Sequence, residues 1–218
     1  MKKLMCVLLF AATLLNVFGG GIAVVAEEEV LPFEDVSKDA WYYEYVRTVY
    51  EDGTMTGKSD TVFDPESPMT RAELVTVLSR LSNEVYWGLR DDYSFSDTNS
   101  DAWYADYLGW GVINNIVSGY PDGTFKPDAP VQRQEIAKLL VVFVDHIGLY
   151  EDIQPEEPLI QSFADSESFV GAWSEDYIEE VRAKGLMGGD EYPHKVQYDR
   201  QKPLKAWQSP VSARERQA

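Results

Sequence analysis

The feature that most constrains this chain is an internal repeat. A Phe-x-Asp triplet begins at Phe33, Phe95 and Phe163, and a tryptophan follows each triplet. The first two copies keep a 62-residue offset from Phe33 to Glu73. The third copy has two extra residues between Phe163 and Trp173, and then runs at an offset of 132 from the first as far as Gly189. The tryptophans are Trp41, Trp103 and Trp173. Such a repeat predicts one supersecondary unit used three times, so the function is expected from what the units build together.

The N-terminal segment has the pattern of a secretory signal. Lys2 and Lys3 precede an apolar run from Leu4 to Phe18, and small residues lead to Ala26. We interpret residues 1–26 as a signal peptide. A transmembrane anchor is the alternative, but a spanning helix needs about 20 apolar residues and this run is shorter. Because the single cysteine, Cys6, lies in this segment, the exported chain is expected to have no disulfide and no membrane insertion after cleavage.

The charge of the chain excludes some partners. The sequence has 19 Lys and Arg against 37 Asp and Glu, a net charge of −18 that becomes −20 without Lys2 and Lys3. This acidity argues against nucleic acid and anionic membranes as partners. No HExxH motif, phosphate loop or nucleophile elbow is present. We therefore expect no metal, no cofactor and no catalytic residues.

Each repeat is predicted to be a helix, a loop and a second helix. Asp39 or Asp101 could cap the first helix, with Trp41 and Tyr45 on its apolar face. Glycine is expected to end this helix; the candidates are Gly53, Gly111 and Gly185.

The second helix is predicted to begin at Thr70. Thr70 and Glu73 have the spacing of a capping box, in which each satisfies a backbone N–H of the helix start. Apolar stripes follow in both copies; they are Leu74, Val75, Leu78 and Leu81, then Ile136, Leu139, Leu140 and Phe143.

The third repeat loses its pattern near its end. Lys195, Pro203 and Lys205 stand where the register predicts Phe, Arg and Glu. The net charge changes from −23 over residues 27–190 to +3 from Glu191 onward. We interpret this coincidence as a frameshift near His194; a genuine divergent tail is the alternative.

Several of these motifs together resemble the S-layer homology (SLH) domain. They are Phe-x-Asp, Ala-Trp-Tyr, a Gly-x-x-x-Gly turn, Thr70-Arg71-Ala72-Glu73 and the run from Pro121 to Pro127. The resemblance covers roughly Phe33 to Gly189. It implies a mainly α fold, in which helix-loop-helix repeats with short extended loop segments form a pseudo-threefold, three-pronged bundle. The predicted domains are residues 33–82, 95–148 and a partial repeat at 163–190, with an aberrant tail at 191–218.

The resemblance also implies a binding site for a bacterial wall polymer. In the family, the arginine after the threonine contacts an acidic sugar group, commonly a pyruvate ketal, on a secondary cell-wall polysaccharide linked to peptidoglycan. The corresponding residues here are Arg71 and Arg133, with Trp41, Trp103, Gly57 and Gly119 forming grooves between repeats. The expected location is the cell wall or S-layer. Arg71 also follows the presumed cap, where free backbone N–H groups favour an anion.

Structural roles compete with these assignments. Thr70, Glu73 and Glu135 are expected as helix caps or arginine partners, and the tryptophans could be core anchors. Gly57 and Gly119 could serve turns that need positive φ. Gln132 and Gln134 flank Arg133, so its cap and local geometry are expected to differ. No arginine occupies the third matching position, so a third site is expected to be absent.

Other functions are open at this level. The repeats could bind other envelope or S-layer proteins instead of glycan. An enzyme acting on wall polymers would need a catalytic domain, for which no segment outside the repeats is long enough. The chain could also be a non-functional fragment of a larger S-layer or exoenzyme gene.

Overall fold

A computed structural model of the chain describes residues 30–84, 88–89, 93–153, 163, 166–187, 190–192 and 195–197. The chain divides into two compact units, Met1–Leu31 and Pro32–Ala218, and every described helix and strand lies in the second. The predicted signal peptide and the tail beyond residue 197 lie outside the described residues. Within the described ranges, no helix is long and apolar enough to cross a membrane.

The described residues are mainly helical, which confirms the predicted fold class. The helices are α1 (Tyr43–Glu51), α2 (Arg71–Leu81), α3 (Ala105–Ile113), α4 (Arg133–His146) and α5 (Glu175–Ala183). A 3₁₀ helix covers Ser166–Ser168, and two short strands, β1 (Asp190–Tyr192) and β2 (Lys195–Gln197), pair antiparallel. The nine-residue helices α1, α3 and α5 begin at positions related by the two repeat offsets.

The first helix of each repeat starts later than its sequence suggests. Asp39 does not cap α1, because the helix begins at Tyr43 and its N-cap residue, Tyr42, makes no side-chain cap bond. The turn before the helix rotates the apolar face, so that Tyr43 and Val46 are buried while Tyr45 is exposed. The prediction of Asp39 and Asp101 as caps and of Tyr45 on the buried face was therefore wrong.

The helix ends follow a different rule in the second repeat. Gly53 and Gly185 follow α1 and α5 with positive φ, as predicted. Gly111 lies inside α3, and Asn115 takes the positive φ after that helix. A Cβ on Gly111 would lie 2.7 Å from Cγ2 of Val75. This glycine therefore permits close packing of α2 on α3 and is not a helix stop.

The capping box at Thr70 is confirmed. The Thr70 hydroxyl accepts a bond from the Glu73 N–H at 3.2 Å, and the Glu73 carboxylate accepts one from the Thr70 N–H at 2.8 Å. At the equivalent place in α4, Glu135 accepts a bond from the Gln132 N–H at 2.9 Å. Gln132 also has the same extended backbone conformation as Thr70. The helix start thus survives the loss of threonine, contrary to the expectation for this repeat.

The aspartate of each of the first two Phe-x-Asp triplets ties the start of its repeat to the loop before the second helix. Asp35 accepts bonds from the N–H groups of Phe63 and Asp64, at 2.9 and 2.6 Å. Asp97 accepts the equivalent pair from Phe125 and Lys126, both at 2.8 Å. A carboxylate that accepts bonds from two backbone N–H groups holds both groups in place. These aspartates therefore hold the loops that line the site described below.

All three repeats contribute to one hydrophobic core. α2 packs on α3, and α4 packs on α5. Ile178 and Val181 of α5 are fully buried in the cluster that also holds Val75 and Leu108. The first half of the third repeat is therefore an integral part of the packed structure.

A polar cluster joins three of the helices at the ends opposite Thr70 and Gln132. Glu84, just beyond α2, accepts a bond from the indole N–H of Trp110 in α3 and pairs with Nε2 of His146 in α4 at 3.1 Å. The Trp110 bond, followed by the His146 bond and charge, holds the pKa of the Glu84 carboxyl below its ordinary value. Stabilisation by this carboxylate is therefore complete above the pKa of an unfolded glutamate and is lost as the pH falls through the folded pKa.

Replacing this carboxylate should produce a stability difference that depends on pH. Because Glu84 is partly exposed, Glu84→Gln should lower the free energy of unfolding at pH 7 by less than about 1 kcal/mol. The difference should shrink as the pH falls below about 4, where an unfolded glutamate is protonated. Urea unfolding of both chains, followed by tryptophan fluorescence from pH 7 to 3, measures it. A difference that stayed constant over this range would contradict the assignment.

Candidate functional site

The Arg71 side chain is held at the junction between the first two repeats. Its Nε–H donates to the Phe125 carbonyl at 2.8 Å, and one NH1 hydrogen donates to Oε1 of Glu135 at 2.9 Å. The guanidinium lies 4.6 Å from the ring centre of Tyr120 and 4.8 Å from that of Phe125. With 9% of its side chain exposed, Arg71 first of all joins α2 to the second repeat.

The backbone at the start of α2 is also committed. The N–H of Arg71 donates to the Ala129 carbonyl and that of Ala72 to the Pro127 carbonyl, both at 3.0 Å. The next two N–H groups are satisfied by Thr70. The expectation of free N–H groups waiting for an anion at this helix start was therefore wrong, because the loop of the second repeat covers them.

Tyr120 completes the surroundings of Arg71. Its hydroxyl donates to Oε1 of Glu135 at 2.6 Å, and the ammonium of Lys126 lies 4.2 Å from its ring centre. Burial, with the bond to Glu135 as the second cause, raises the pKa of Tyr120 to about 12. The phenol therefore stays protonated near neutral pH and keeps its bond to the glutamate.

A cavity of about 310 Å³ opens beside this arginine, and we name it the Arg71 cavity. The second and third repeats join the first in forming its wall. The lining residues that matter here are Arg71, Gly119, Tyr120, Glu135, Lys138 and Trp173. The structure thus brings Arg71 together with the glycine of the second repeat and the tryptophan of the third, and not with Gly57 and Trp41 of its own repeat.

A second cavity, of about 350 Å³, lies at the equivalent position one repeat earlier, and we name it the Arg80 cavity. Its lining includes Gly57, Lys58, Glu73, Thr76, Arg80 and Trp103. Lys58 occupies the position of Tyr120 and forms an ion pair with Glu73. Each cavity thus joins the loop and second helix of one repeat to the tryptophan of the next.

The tryptophans of the repeats are not core anchors. Trp103 is 61% exposed and Trp173 is 57% exposed, each at the edge of its cavity. Trp41 is 45% exposed and meets the rings of Tyr42 and Tyr45. The alternative that placed these residues in the core is excluded by their exposure, which leaves their indole faces accessible to a ligand.

Gly57 and Gly119 hold the cavity loops close to the phenylalanines of the triplets. Gly57 has a φ of +80°, as a turn glycine would. Gly119 is not in that region, but a Cβ there would lie 2.3 Å from Cε1 of Phe95 and 2.8 Å from the Thr124 carbonyl oxygen. Gly57 is therefore required both by its positive φ and by close approach, since a Cβ there would lie 2.6 Å from Cε1 of Phe33, whereas Gly119 is required by close approach alone.

Arg133 and Trp41 line neither of these two cavities. Arg133 begins α4 and is 5% exposed. The position that would correspond to Glu135 in the third repeat is Lys205, which lies outside the described residues. Ligand binding by Arg133 and Trp41, and the absence of a third site, stay predictions.

Sequence reasoning missed several residues of the two cavities. Trp173 was recognised as a repeat marker but not as a site residue, and Lys58, Arg80, Tyr120 and Lys138 were not selected. The repeat register shows equivalence between copies, but it does not show which copies are neighbours. Each cavity has two cationic side chains and one glutamate in its lining, a local excess of one positive charge in a chain of net charge −18.

The described residues contain no group of His, Cys, Asp or Glu side chains arranged to hold a metal ion. The two cavities present aromatic faces, cations and hydrogen-bond donors.

Comparisons with known proteins agree with this geometry. The family model of the S-layer homology domain matches residues 32–75 and 94–137. The chain is 31% identical over 141 residues to a cellulosome-anchoring protein of Acetivibrio thermocellus, covering 64% of this chain and 30% of the relative. It is 28% identical over 183 residues to a surface-layer 125 kDa protein of Lysinibacillus sphaericus, covering 84% and 14%. An endoglucanase of a Bacillus species is 28% identical over 166 residues, covering 76% and 17%.

The chain thus spans less than a third of the length of these relatives. The family match and the surface relatives support a secreted, cell-wall-associated location. The relatives include an anchoring protein, a surface-layer protein and an enzyme, each much longer than this chain. Two segments of the chain, residues 32–75 and 94–137, thus match the S-layer homology domain.

Proposed function

We propose that this chain holds a secreted protein non-covalently on the bacterial envelope by binding an acidic secondary cell-wall polysaccharide, with a pyruvate ketal as the expected acidic group. The observation that supports this is the composition of the two cavities. Each combines an exposed tryptophan with two cations, although the chain as a whole is strongly acidic. An indole face suits the apolar face of a sugar ring, and a cation suits its carboxylate.

The predicted site residues have distinct parts in this proposal. Trp103 and Trp173 are the stacking surfaces, while Gly57 and Gly119 allow the loops to reach the ligand. Arg71 lines its cavity beside the ligand, and Thr70, Glu73 and Glu135 hold the helix starts. Arg133 and Trp41 would serve a groove that involves the third repeat.

The repeat boundaries proposed from the sequence belong to this account. Residues 33–82 and 95–148 would be complete repeats, 163–190 a partial one and 191–218 an aberrant tail. The frameshift near His194 remains our interpretation of that tail. Sequencing the gene around the codons for Glu191 to Lys195, and searching the other frames for the missing motif, tests it. Motif residues in another frame are expected; their absence from both other frames would favour a genuine divergent tail.

Removal of the stacking surfaces should weaken binding to cell walls without unfolding the chain. Trp103→Ala and Trp173→Ala should each raise the dissociation constant for wall sacculi about tenfold, since a loss of roughly 1.4 kcal/mol corresponds to that factor. The double variant should lose retention more severely, because two sites on one body act together. Binding is measured by depletion of protein from solution at increasing amounts of sacculi.

Ile113→Ala is the matched control, because Ile113 is an exposed apolar residue of α3 that lines neither cavity. It should bind sacculi as the parent chain does. Full binding by the double tryptophan variant would contradict the proposed site. If binding survived removal of the polysaccharide from the sacculi, the alternative of an assembly module for envelope proteins would be favoured.

A further inference from the structure

We propose that the principal contacts to the acidic group are Arg80 in the Arg80 cavity and Lys138 in the Arg71 cavity, and that the two cavities therefore hold this group at different places. The inference rests on the proposed function, because it assigns the charged contact within the same two cavities. It gives Arg71 the part of a positioning residue.

The other two cations of the cavities, Arg71 and Lys58, are already paired with glutamates. Arg71 already has Glu135 as its ion-pair partner and the Phe125 carbonyl as a second acceptor. Lys58 forms an ion pair with Glu73, whose other oxygen caps α2. In both cavities the glutamate is thus neutralised by one cation. Any net positive charge offered to a ligand must come from the other cation.

The remaining cations, Arg80 and Lys138, have no such glutamate partner among the described residues. Arg80 donates to the Thr54 carbonyl at 3.2 Å and lies 5.3 Å from the ring centre of Tyr107. Within the described ranges, neither Arg80 nor Lys138 has an ion pair with a carboxylate. In a chain with 37 acidic and 19 basic residues, carboxylates are abundant. Arg80 and Lys138 each line a cavity without such a carboxylate partner. This arrangement points to an anion supplied by the ligand.

Arg80 and Lys138 lie at different positions along the repeat. At the 62-residue offset, Arg80 corresponds to Val142, and Lys138 corresponds to Thr76. Thr76 and Arg80 are four residues apart on α2, so they share one face of the helix. At a rise of about 1.5 Å per residue, the cation of the Arg80 cavity is displaced by about 6 Å along the helix. The distance between stacking tryptophan and cation must therefore differ between the cavities.

A functional consequence follows from this displacement. A saccharide whose acidic group suits Lys138 cannot place that group equally well against Arg80 while stacking on the equivalent tryptophan. The two cavities are thus expected to select different acidic residues, or different positions along one polysaccharide chain. Guanidinium and ammonium also differ in shape, since only the guanidinium offers a planar pair of donors to a carboxylate.

The test compares Lys138→Gln and Arg80→Gln with the parent chain on wall sacculi that carry their polysaccharide. Each variant should weaken binding about tenfold, as expected for loss of one charge-assisted hydrogen bond to the ligand. Each should also reduce the dependence of binding on salt, because one ionic contact is gone. Lys138→Arg should keep the salt dependence of the parent chain, because the positive charge is retained. Arg47→Gln, which removes a partly exposed cation of α1 outside both cavities, should leave binding unchanged.

The outcomes separate this inference from the proposed function. If the parent chain does not bind sacculi, the proposed function fails, and this inference fails with it. If the parent chain binds and both glutamine variants bind equally well with the same salt dependence, the assignment of Arg80 and Lys138 is overturned while the proposed function stands. Urea unfolding of each variant shows that the fold is retained.

Discussion

Arg71→Met should lower the free energy of unfolding by about 3 kcal/mol, the cost of removing one partner from a buried ion pair. The substitution leaves Glu135, 13% exposed, without its cation and leaves the Phe125 carbonyl without the Nε–H donor. It also removes the guanidinium that packs against Tyr120 and Phe125. Urea unfolding at pH 7, followed by tryptophan fluorescence, measures the loss.

Two further variants make this prediction specific. Arg71→Lys should recover only part of the stability, because an ammonium cannot reproduce the planar set of donors. Arg47→Met removes a partly exposed arginine that pairs with Glu44 and Glu51 within α1, and should cost less than about 1 kcal/mol. Equal losses for Arg71→Met and Arg47→Met would contradict the role of Arg71 in joining the repeats.

Gly119→Ala should also cost about 3 kcal/mol, the upper end for an added group in a well-packed site. The new Cβ would lie 2.3 Å from Cε1 of Phe95 and 2.8 Å from the Thr124 carbonyl oxygen. The carbonyl is part of the backbone of the same loop and accepts a bond from the Tyr120 N–H. Relief of the clash therefore requires movement of the loop that forms the Arg71 cavity.

Gly123→Ala in the same loop is the matched control, because it adds the same Cβ where no neighbouring atom is in the way. Gly123 has a φ of +81°, but a Cβ added there would meet no atom within 4 Å beyond its own chain neighbours. Only the backbone strain of about 1 kcal/mol is expected. The midpoint temperature of thermal unfolding should therefore be lower for Gly119→Ala than for Gly123→Ala. The reverse order would exclude the close-approach explanation. Sacculus binding by Gly119→Ala should fall together with its stability.

The repeat register predicted the local structure well. It located the first helices of the three repeats and the capping box at Thr70, because both depend on residues close together in sequence. Its errors at the first helix have a local cause. The turn after Trp41 changes the phase of the apolar face, and Asn115 replaces glycine at one helix end.

The site could be predicted only in part, because its contacts join different repeats. Arg71 is 64 residues from its partner Glu135, and Trp173 reaches the Arg71 cavity from the third repeat. A register identifies Glu73 and Glu135 as equivalent without showing which of them Arg71 will meet. The cations Arg80 and Lys138 occupy non-equivalent positions, so a search for residues shared by the repeats passes over both.

The most direct test of the account is co-sedimentation of the chain with bacterial wall sacculi before and after the secondary polysaccharide is stripped. The account predicts binding to intact sacculi and loss of that binding when the polysaccharide is removed. A folded chain that sediments equally with both preparations, or with neither, would contradict anchoring through a wall polysaccharide.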